Sequence, residues 1–294
     1  MIMKQIYFMF ITAICVNMAT YAQENNPVAK NGKTVFTAGI SYSYMTADLR
    51  LSELSKHSIW YGTDYGTYVL NKDELKEVND HIERKNTVNN INLEFGFNLF
   101  DHPDSKWEAG ISFLAGLARN NTTIYNTVTD TNEYQLNSKL IKPFMGVGFD
   151  LSYAIDDRWG LSMKPYFVCT FGQAEEITDN INVAPEGFIQ TTTDSYRSFY
   201  QRFSLMATYT AGDFVFSAGP GLYLLVSHHE YEIRRIYESN GDLLLDVITS
   251  RGINRWPVDA SLSGQWNFAG PFYLYVFSGI GADIIVNGGL RVNF

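Results

Sequence analysis

The sequence has little cysteine and, after its first 22 residues, no long hydrophobic run. Its two cysteines are Cys15 and Cys169, and only Cys169 lies outside those 22 residues, so an internal disulfide is not expected there. No later run approaches the roughly 18 apolar residues that a membrane-spanning helix needs. Common catalytic motifs are also missing, because the sequence contains no G-x-S-x-G, H-E-x-x-H, P-loop or calcium-loop pattern.

Basic residues are outnumbered by acidic ones, 22 against 31, which gives a net charge of −9. This balance argues against a nucleic-acid partner. His228 and His229 are adjacent, and neighbouring side chains of a strand point to opposite faces, so the two imidazoles cannot readily share a metal ion. We therefore expect no metal and no cofactor.

Residues 1–22 have the features of a cleavable secretory signal. Lys4 supplies the positive start, residues 6–18 the apolar stretch, and Ala22 the small residue before the cleavage point. The alternative is an uncleaved anchor, for which the apolar stretch is short. We expect an exported protein whose residues 23–294 form one domain, because no Pro/Gly/Ser-rich linker or internal repeat divides them.

Most of the mature sequence alternates between apolar and polar residues. Ile91, Leu93 and Phe95 share one parity, whereas Asn92 and Glu94 share the other. Because successive strand side chains point to opposite faces, the pattern predicts a strand with one apolar and one polar wall. The segments with this pattern are 33–47, 91–99, 107–117, 139–155, 159–172, 197–210, 214–227, 255–268 and a final pair within 271–294.

The last five residues, Leu290 to Phe294, alternate in the same way and end on an aromatic. This pattern resembles the closing strand of Gram-negative outer-membrane β-barrels, in which a terminal Phe is part of the signal read by the barrel-assembly machinery. The whole mature chain resembles this broad, porin-like class. The resemblance implies a location in the cell outer membrane, contact with its lipid, and an assembly signal formed by Leu290, Val292 and Phe294.

The strand pattern predicts an all-β fold, a transmembrane antiparallel up-and-down β-barrel of about ten strands, with eight or twelve left open. Each segment is long enough to cross a bilayer when tilted, which takes roughly 9–11 residues. Short connections alternate with long ones at about 48–86, 120–137, 174–195 and 229–254, as expected for short periplasmic turns and longer outer loops. A soluble all-β domain is the alternative.

The polar face of the predicted strands includes charged residues, which would line the narrow lumen of such a barrel. These residues are Glu94, Glu108, Lys142, Asp150, Lys164, Arg202, Asp259 and Arg291. Charges taken out of water must pair, so we predict a lumen closed by a salt-bridge network, with a wet channel as the alternative. If Ile155 and Trp159 both face outward, Asp150 lies directly across from Lys164.

The first long connection contains a predicted helix at 71–85. Asn71 can cap it, and Leu75, Val78 and Ile82 form an apolar stripe, so it could serve as a lid or bind a partner. Exposed aromatics in the same connection, Tyr61, Tyr65 and Tyr68, could bind an extracellular ligand or pack loops together.

A narrower resemblance is to the omptins, outer-membrane proteases with ten-stranded barrels. Tyr200 to Phe203, followed by a tight turn and a strand ending in His228 to Tyr231, is similar to the omptin stretch that leads to a catalytic Asp and His. Omptins carry an Asp two residues before that His, where this sequence has Val226 or Ser227. We expect a non-enzymatic barrel with a structural, surface-binding or narrow-porin role, and keep an omptin-like hydrolase at the extracellular rim as the alternative.

Overall fold

The computed structural model describes residues 36–100, 106–126, 131–137, 142–171, 174–176, 188–237, 243–269 and 271–293. The expected signal at 1–22 and Phe294 lie outside this part of the chain. The elements are β1 (Phe36–Trp60), β2 (Thr63–Val69), α1 (Lys72–His81), β3 (Ile82–Phe100), β4 (Trp107–Asn126), β5 (Thr131–Asn137), β6 (Lys142–Ala154), β7 (Trp159–Thr170), β8 (Ala174–Glu176), β9 (Phe188–Ala211), β10 (Phe214–Tyr237), β11 (Leu243–Asn254), β12 (Val258–Ala269), β13 (Phe272–Gly281) and β14 (Ile284–Asn293).

The strands close into an antiparallel barrel. Among the described residues, ten strands pair in the ring order β1, β3, β4, β6, β7, β9, β10, β12, β13 and β14. The ring closes because β14 pairs back onto β1, with Thr37 opposite Asn293 and Thr46 opposite Ile284. The predicted fold class and the count of about ten strands are therefore confirmed.

The outer wall carries a continuous apolar belt. On β10 the outward-facing residues run from Phe214 through Leu222 to Val226 before the first charged position. This segment spans about 40 Å along the strand, or about 30 Å along the axis of a barrel with tilted strands. The belt's exposed side chains include Ile40, Ile91, Leu93, Phe113, Leu117, Met145, Phe149, Leu161, Phe203, Leu205, Phe216, Leu262, Leu274, Val276 and Ile280.

The barrel wall continues well beyond this belt, which corrects the prediction of long outer loops. β9 and β10 each have 24 residues and remain paired from Phe214–Ala211 to Tyr237–Phe188. Above the belt, β11 joins β10 to β1, so the upper wall closes through a different strand from the lower wall. In this extension both faces meet polar surroundings, so the apolar alternation that signals a strand fades while backbone pairing persists.

The β13–β14 hairpin ends below this extension in a tight connection at Ala282 and Asp283. Asp283 is buried at the point where the upper wall replaces the hairpin. It accepts the Asp48 backbone N–H at 2.8 Å and the hydroxyl of Tyr223. These bonds seal the junction between β14 below and β11 above.

The helix α1 is shorter than predicted, since it ends at His81 and Ile82 already belongs to β3. Asn71 caps it in a capping box with Glu74, as expected. Asn79 bonds both the N–H and the carbonyl of Leu51, at 2.7 and 2.8 Å, next to an irregularity in the β1 register. The helix therefore docks against the wall at β1 and β3. Across the described residues, no helix is long and apolar enough to cross a membrane.

Candidate functional site in the barrel lumen

The first lumen ion pair joins Glu94 on β3 to Arg291 on β14. Arg291 Nη2 and Nε lie 2.6 and 2.7 Å from Glu94 Oε2. The hydroxyls of Ser41 and Tyr275 both donate to Glu94 Oε1, at 2.7 and 2.6 Å. Gly39 lies between the two charged residues on β1, and a Cβ there would meet Arg291 Cγ at 2.6 Å. The absence of a side chain at position 39 therefore lets the pair form.

The second ion pair joins Arg202 on β9 to Asp259 on β12, with Nη2 and Oδ1 2.7 Å apart and both side chains almost fully buried. Arg202 also donates to Ser204 and Ser261, and its guanidinium lies 4.7 Å from the centre of the Phe277 ring. Gly221 makes room for this pair, because a Cβ there would meet Asp259 Oδ1 at 2.3 Å.

The other predicted lumen charges are placed differently. Lys164 Nζ lies 3.0 Å from Asp150 Oδ2, the cross-strand contact expected from the register, but both side chains are about half exposed near the base. Glu108 is exposed at the base and lines a cavity of about 280 Å³ there. Lys142 is buried and lies 5.1 Å from the centre of the Tyr196 ring, far along the strands from the ion pairs.

The two buried ion pairs line the wall, because each joins strands that are only two apart in the ring. We call Glu94, Arg291, Arg202 and Asp259 the ionic layer. This layer is only part of what fills the lumen. Among the described residues, the predicted lumen charges therefore form two buried ion pairs at the wall and one half-exposed pair, Asp150 with Lys164, near the base.

An apolar layer lies next along the strands. It consists of two clusters of buried inward-facing residues, which Met45 and Tyr200 join by contacting both of them. Seven consecutive strands of the ring contribute to it, from β1 through β3, β4, β6, β7 and β9 to β10. Its buried members are Ala47, Leu49, Val88, Ala118, Phe144, Val168 and Leu225. Each of these residues is at least 91% buried, and their side chains pack against one another on the inner side of the wall.

A polar bridge covers the apolar layer on its outer side. Asn86 Nδ2 on β3 donates to the Tyr196 hydroxyl on β9 at 2.7 Å, and both residues are essentially inaccessible. β3 and β9 are separated by three strands of the ring, so this bond crosses the lumen from wall to wall. His229 packs edge-on against the Tyr196 ring, with centroids 4.4 Å apart.

Beyond the polar bridge, the extension holds a buried carboxylate, Asp246 on β11. It accepts from Ser58 Oγ at 2.6 Å and from Trp60 Nε1 at 3.3 Å, and Lys56 Nζ lies 3.2 Å away. Burial by itself raises the pKa of Asp246, but the bonds from Ser58, Lys56 and Trp60 outweigh it and hold the pKa below its ordinary value. These contacts fasten β11 to the outer part of β1.

The lowered pKa of Asp246 predicts acid loosening of the β1–β11 contact. A depressed pKa gives stability that is present above the unfolded-state pKa of about 3.9 and is lost as pH falls toward the lower folded-state value. Trp60 fluorescence should therefore stay constant down to about pH 4 and change below it. In Asp246→Asn the same change should be absent, and an identical acid transition in that variant would assign it to other carboxylates.

No protein-family model and no curated protein sequence matches the chain. Solved structures with a similar course of the chain are outer-membrane barrels. The translocator domain of the autotransporter NalP from Neisseria meningitidis has a TM-score of 0.41 and 8% identity, over 96% of this chain and 98% of that one. The protease OmpT from Escherichia coli has a TM-score of 0.37 and 11% identity, over 88% and 97%. The toluene transporter TodX from Pseudomonas putida has a TM-score of 0.36 and 9% identity, over 92% of each.

The omptin-like stretch is placed on paired strands. Ser227 and His229 both face inward on β10, whereas His228 faces outward, so the two imidazoles are separated by the wall. Position 227, two residues before His229, carries a fully buried hydroxyl in place of a carboxylate. In the part of the chain that the structure describes, no group of three or more His, Cys, Asp or Glu could hold a metal ion.

Sequence reasoning missed the groups that cross the lumen. Asn86 falls in a segment predicted as an outer loop, and Tyr196 lies just before the strand predicted from residue 197, so the alternation gives neither of them a face. Ser41, Tyr275 and Phe277 share the inward parity of their strands, and this signal could have placed them beside the ion pairs. On the outer wall, Leu290 and Val292 face outward on β14, and Cys169 is exposed on β7. The assembly signal itself stays a prediction.

Proposed function

We propose that the protein is an integral outer-membrane β-barrel with a non-conducting lumen, which carries an extended wall to the cell surface. The height of the apolar belt supports the membrane placement, because about 25–30 Å matches the lipid-facing band of such barrels. Large aromatic side chains stand near the base of the belt, as they do at membrane interfaces. They include Trp107, Trp159, Trp266, Phe268 and Phe272.

The observation that carries the non-conducting lumen is the hydrogen bond between Asn86 and Tyr196. A solute would have to break this wall-to-wall bond and then part the apolar layer beneath it. Opening the apolar layer to water would expose Phe144, Leu49 and Leu225, each of which is at least 97% buried. Exposing one such side chain costs about 1.5–3 kcal/mol, so a spontaneous opening through several of them is rare.

We propose a surface-binding or structural role without catalysis. The omptin-like position 227 is a serine, and the described residues around His229 include a tyrosine ring and Ser250 at paired positions. The tip of the β1–β2 hairpin instead presents Tyr61, Tyr65 and Tyr68, which are 57–68% exposed. Exposed aromatics on a rigid scaffold can supply contact area for an extracellular ligand.

Heat modifiability on a gel, with single-channel recording on the same detergent-folded sample, tests this proposal. We expect a folded band that shifts on boiling and no conductance in planar bilayers. A shift accompanied by steady conductance would make the protein a porin. A sample that neither shifts nor inserts would overturn the membrane placement itself, and cleavage of peptides by the folded form would overturn the non-catalytic role.

A further inference from the structure

Three neighbouring strands carry a basic residue at the upper border of the apolar belt. On β10, His228 is the next outward-facing residue above Val226. On the two antiparallel neighbours, Arg197 lies in the same way above Phe199 on β9, and Arg251 above Ile253 on β11. All three basic side chains are exposed and face outward. Arg197 and Arg251 carry positive charge at neutral pH, in a chain whose net charge is −9.

The register places these residues side by side. His228 is directly paired with Arg197 on one side and with Arg251 on the other. Adjacent strands are about 4.8 Å apart, so the two arginines start roughly 10 Å from each other with the imidazole between them. We call Arg197, His228 and Arg251 the basic row.

The basic row is not neutralised by its neighbours within the described residues. No ion pair or side-chain hydrogen bond links its three side chains to Glu53, which is paired with Arg251, or to Glu230, the next outward-facing residue on β10. The charges of Arg197 and Arg251 lie on either side of His228, so an anion placed between them can accept hydrogen bonds from both guanidinium groups.

We infer that the basic row binds the phosphate of an anionic lipid in the outer leaflet. The acyl chains of such a lipid would lie on the belt below, and its headgroup would lie at the level of the row. Trp256, which is 57% exposed near the top of β12, marks this interfacial level, where indole rings concentrate. The two arginine forks suit phosphate oxygens, to which they can donate in pairs.

This inference rests on the proposed membrane placement and adds a specific lipid contact to it. The test uses the full chain folded in a neutral detergent and titrated with phosphatidylglycerol, with lipid-bound species counted by native mass spectrometry. We expect tighter binding of phosphatidylglycerol than of phosphatidylcholine. Each of Arg197→Gln and Arg251→Gln should weaken it about fivefold, since one basic residue near an anionic surface contributes about 1 kcal/mol.

Arg158→Gln is the matched control, because it removes an exposed arginine from the base turn at the opposite border of the belt. It should bind phosphatidylglycerol as the parent does. Equal binding of the two lipids, or row variants that bind like the parent, would overturn the inference. Displacement of the lipid by inorganic phosphate would show a site for the free anion. The heat-induced gel shift separates these results from failure of the barrel, which would leave every variant unshifted and uninserted.

Discussion

Replacing Asp259 with alanine is expected to lower the free energy of unfolding by roughly 3–5 kcal/mol, because it leaves the Arg202 guanidinium buried without its counter-charge. The Arg202 side chain is 5% exposed, lies over Gly221 and contacts the Phe277 ring, so its guanidinium cannot reach water without disrupting the ionic layer. Urea unfolding of the detergent-folded protein, followed by the gel shift, measures the change.

Asp150→Ala is the matched control for this substitution. It also removes an aspartate from a lumen ion pair, but Asp150 and Lys164 are about half exposed, and an exposed pair contributes about 0–1 kcal/mol. The double variant Asp259→Ala with Arg202→Leu should recover much of the loss, since neither charge then stays buried. If Asp259→Ala and Asp150→Ala lower the free energy of unfolding equally, burial does not set the contribution of the ionic layer to stability.

Removing two rings from the lumen is expected to turn a silent barrel into a conducting one. Phe144→Ala deletes the largest of the buried side chains of the apolar layer, and Tyr196→Ala deletes the polar bridge that crosses above it. The two ion pairs of the ionic layer are left in place, each joining strands only two apart in the ring. Planar-bilayer recordings should show steady steps for the double variant. The two deletions also cost stability, about 3–5 kcal/mol for a buried aromatic ring, so the gel shift must show that the barrel is folded.

Phe149→Ala with Tyr209→Ala controls for the loss of two rings. Phe149 lies on the same strand as Phe144, and Tyr209 on the same strand as Tyr196, but both face the outer wall. This pair should give no conductance. Steps of equal size from both double variants would mean that current passes around the barrel or through a loosened wall.

The alternation of apolar and polar residues predicted the fold, because each strand of the belt has one face against lipid and one against the lumen. The same parity predicted the Asp150–Lys164 contact, which needs only two strands and the short turn between them. Where the wall leaves the belt, apolar and polar residues no longer alternate regularly, as the run from Leu243 to Ile248 shows. The pattern then carries no strand signal, and it predicts loops for the outer parts of β1, β9 and β10.

The partners of the buried charges could not be predicted in the same way. Glu94 and Arg291 meet across β1, so the pair requires closure of the ring between residues 197 positions apart. Arg202 and Asp259 likewise depend on Gly221 in the strand between them. Which inward residues touch is set by ring order and by the places where a glycine leaves room. A single sequence does not contain the register of distant strands.

The pairing of β1 with two different strands has a consequence for the folding of the barrel. It pairs with β14 below and with β11 above, so both levels of the wall close on the same 25 residues. Thr37 is paired with Asn293 and Leu49 with Asn254, contacts that span more than 200 positions of the sequence. Contacts between such distant segments are slow to form, because loop closure must precede them. We therefore expect the barrel to close late and in a single step, in which β11 and β14 pair with β1 together.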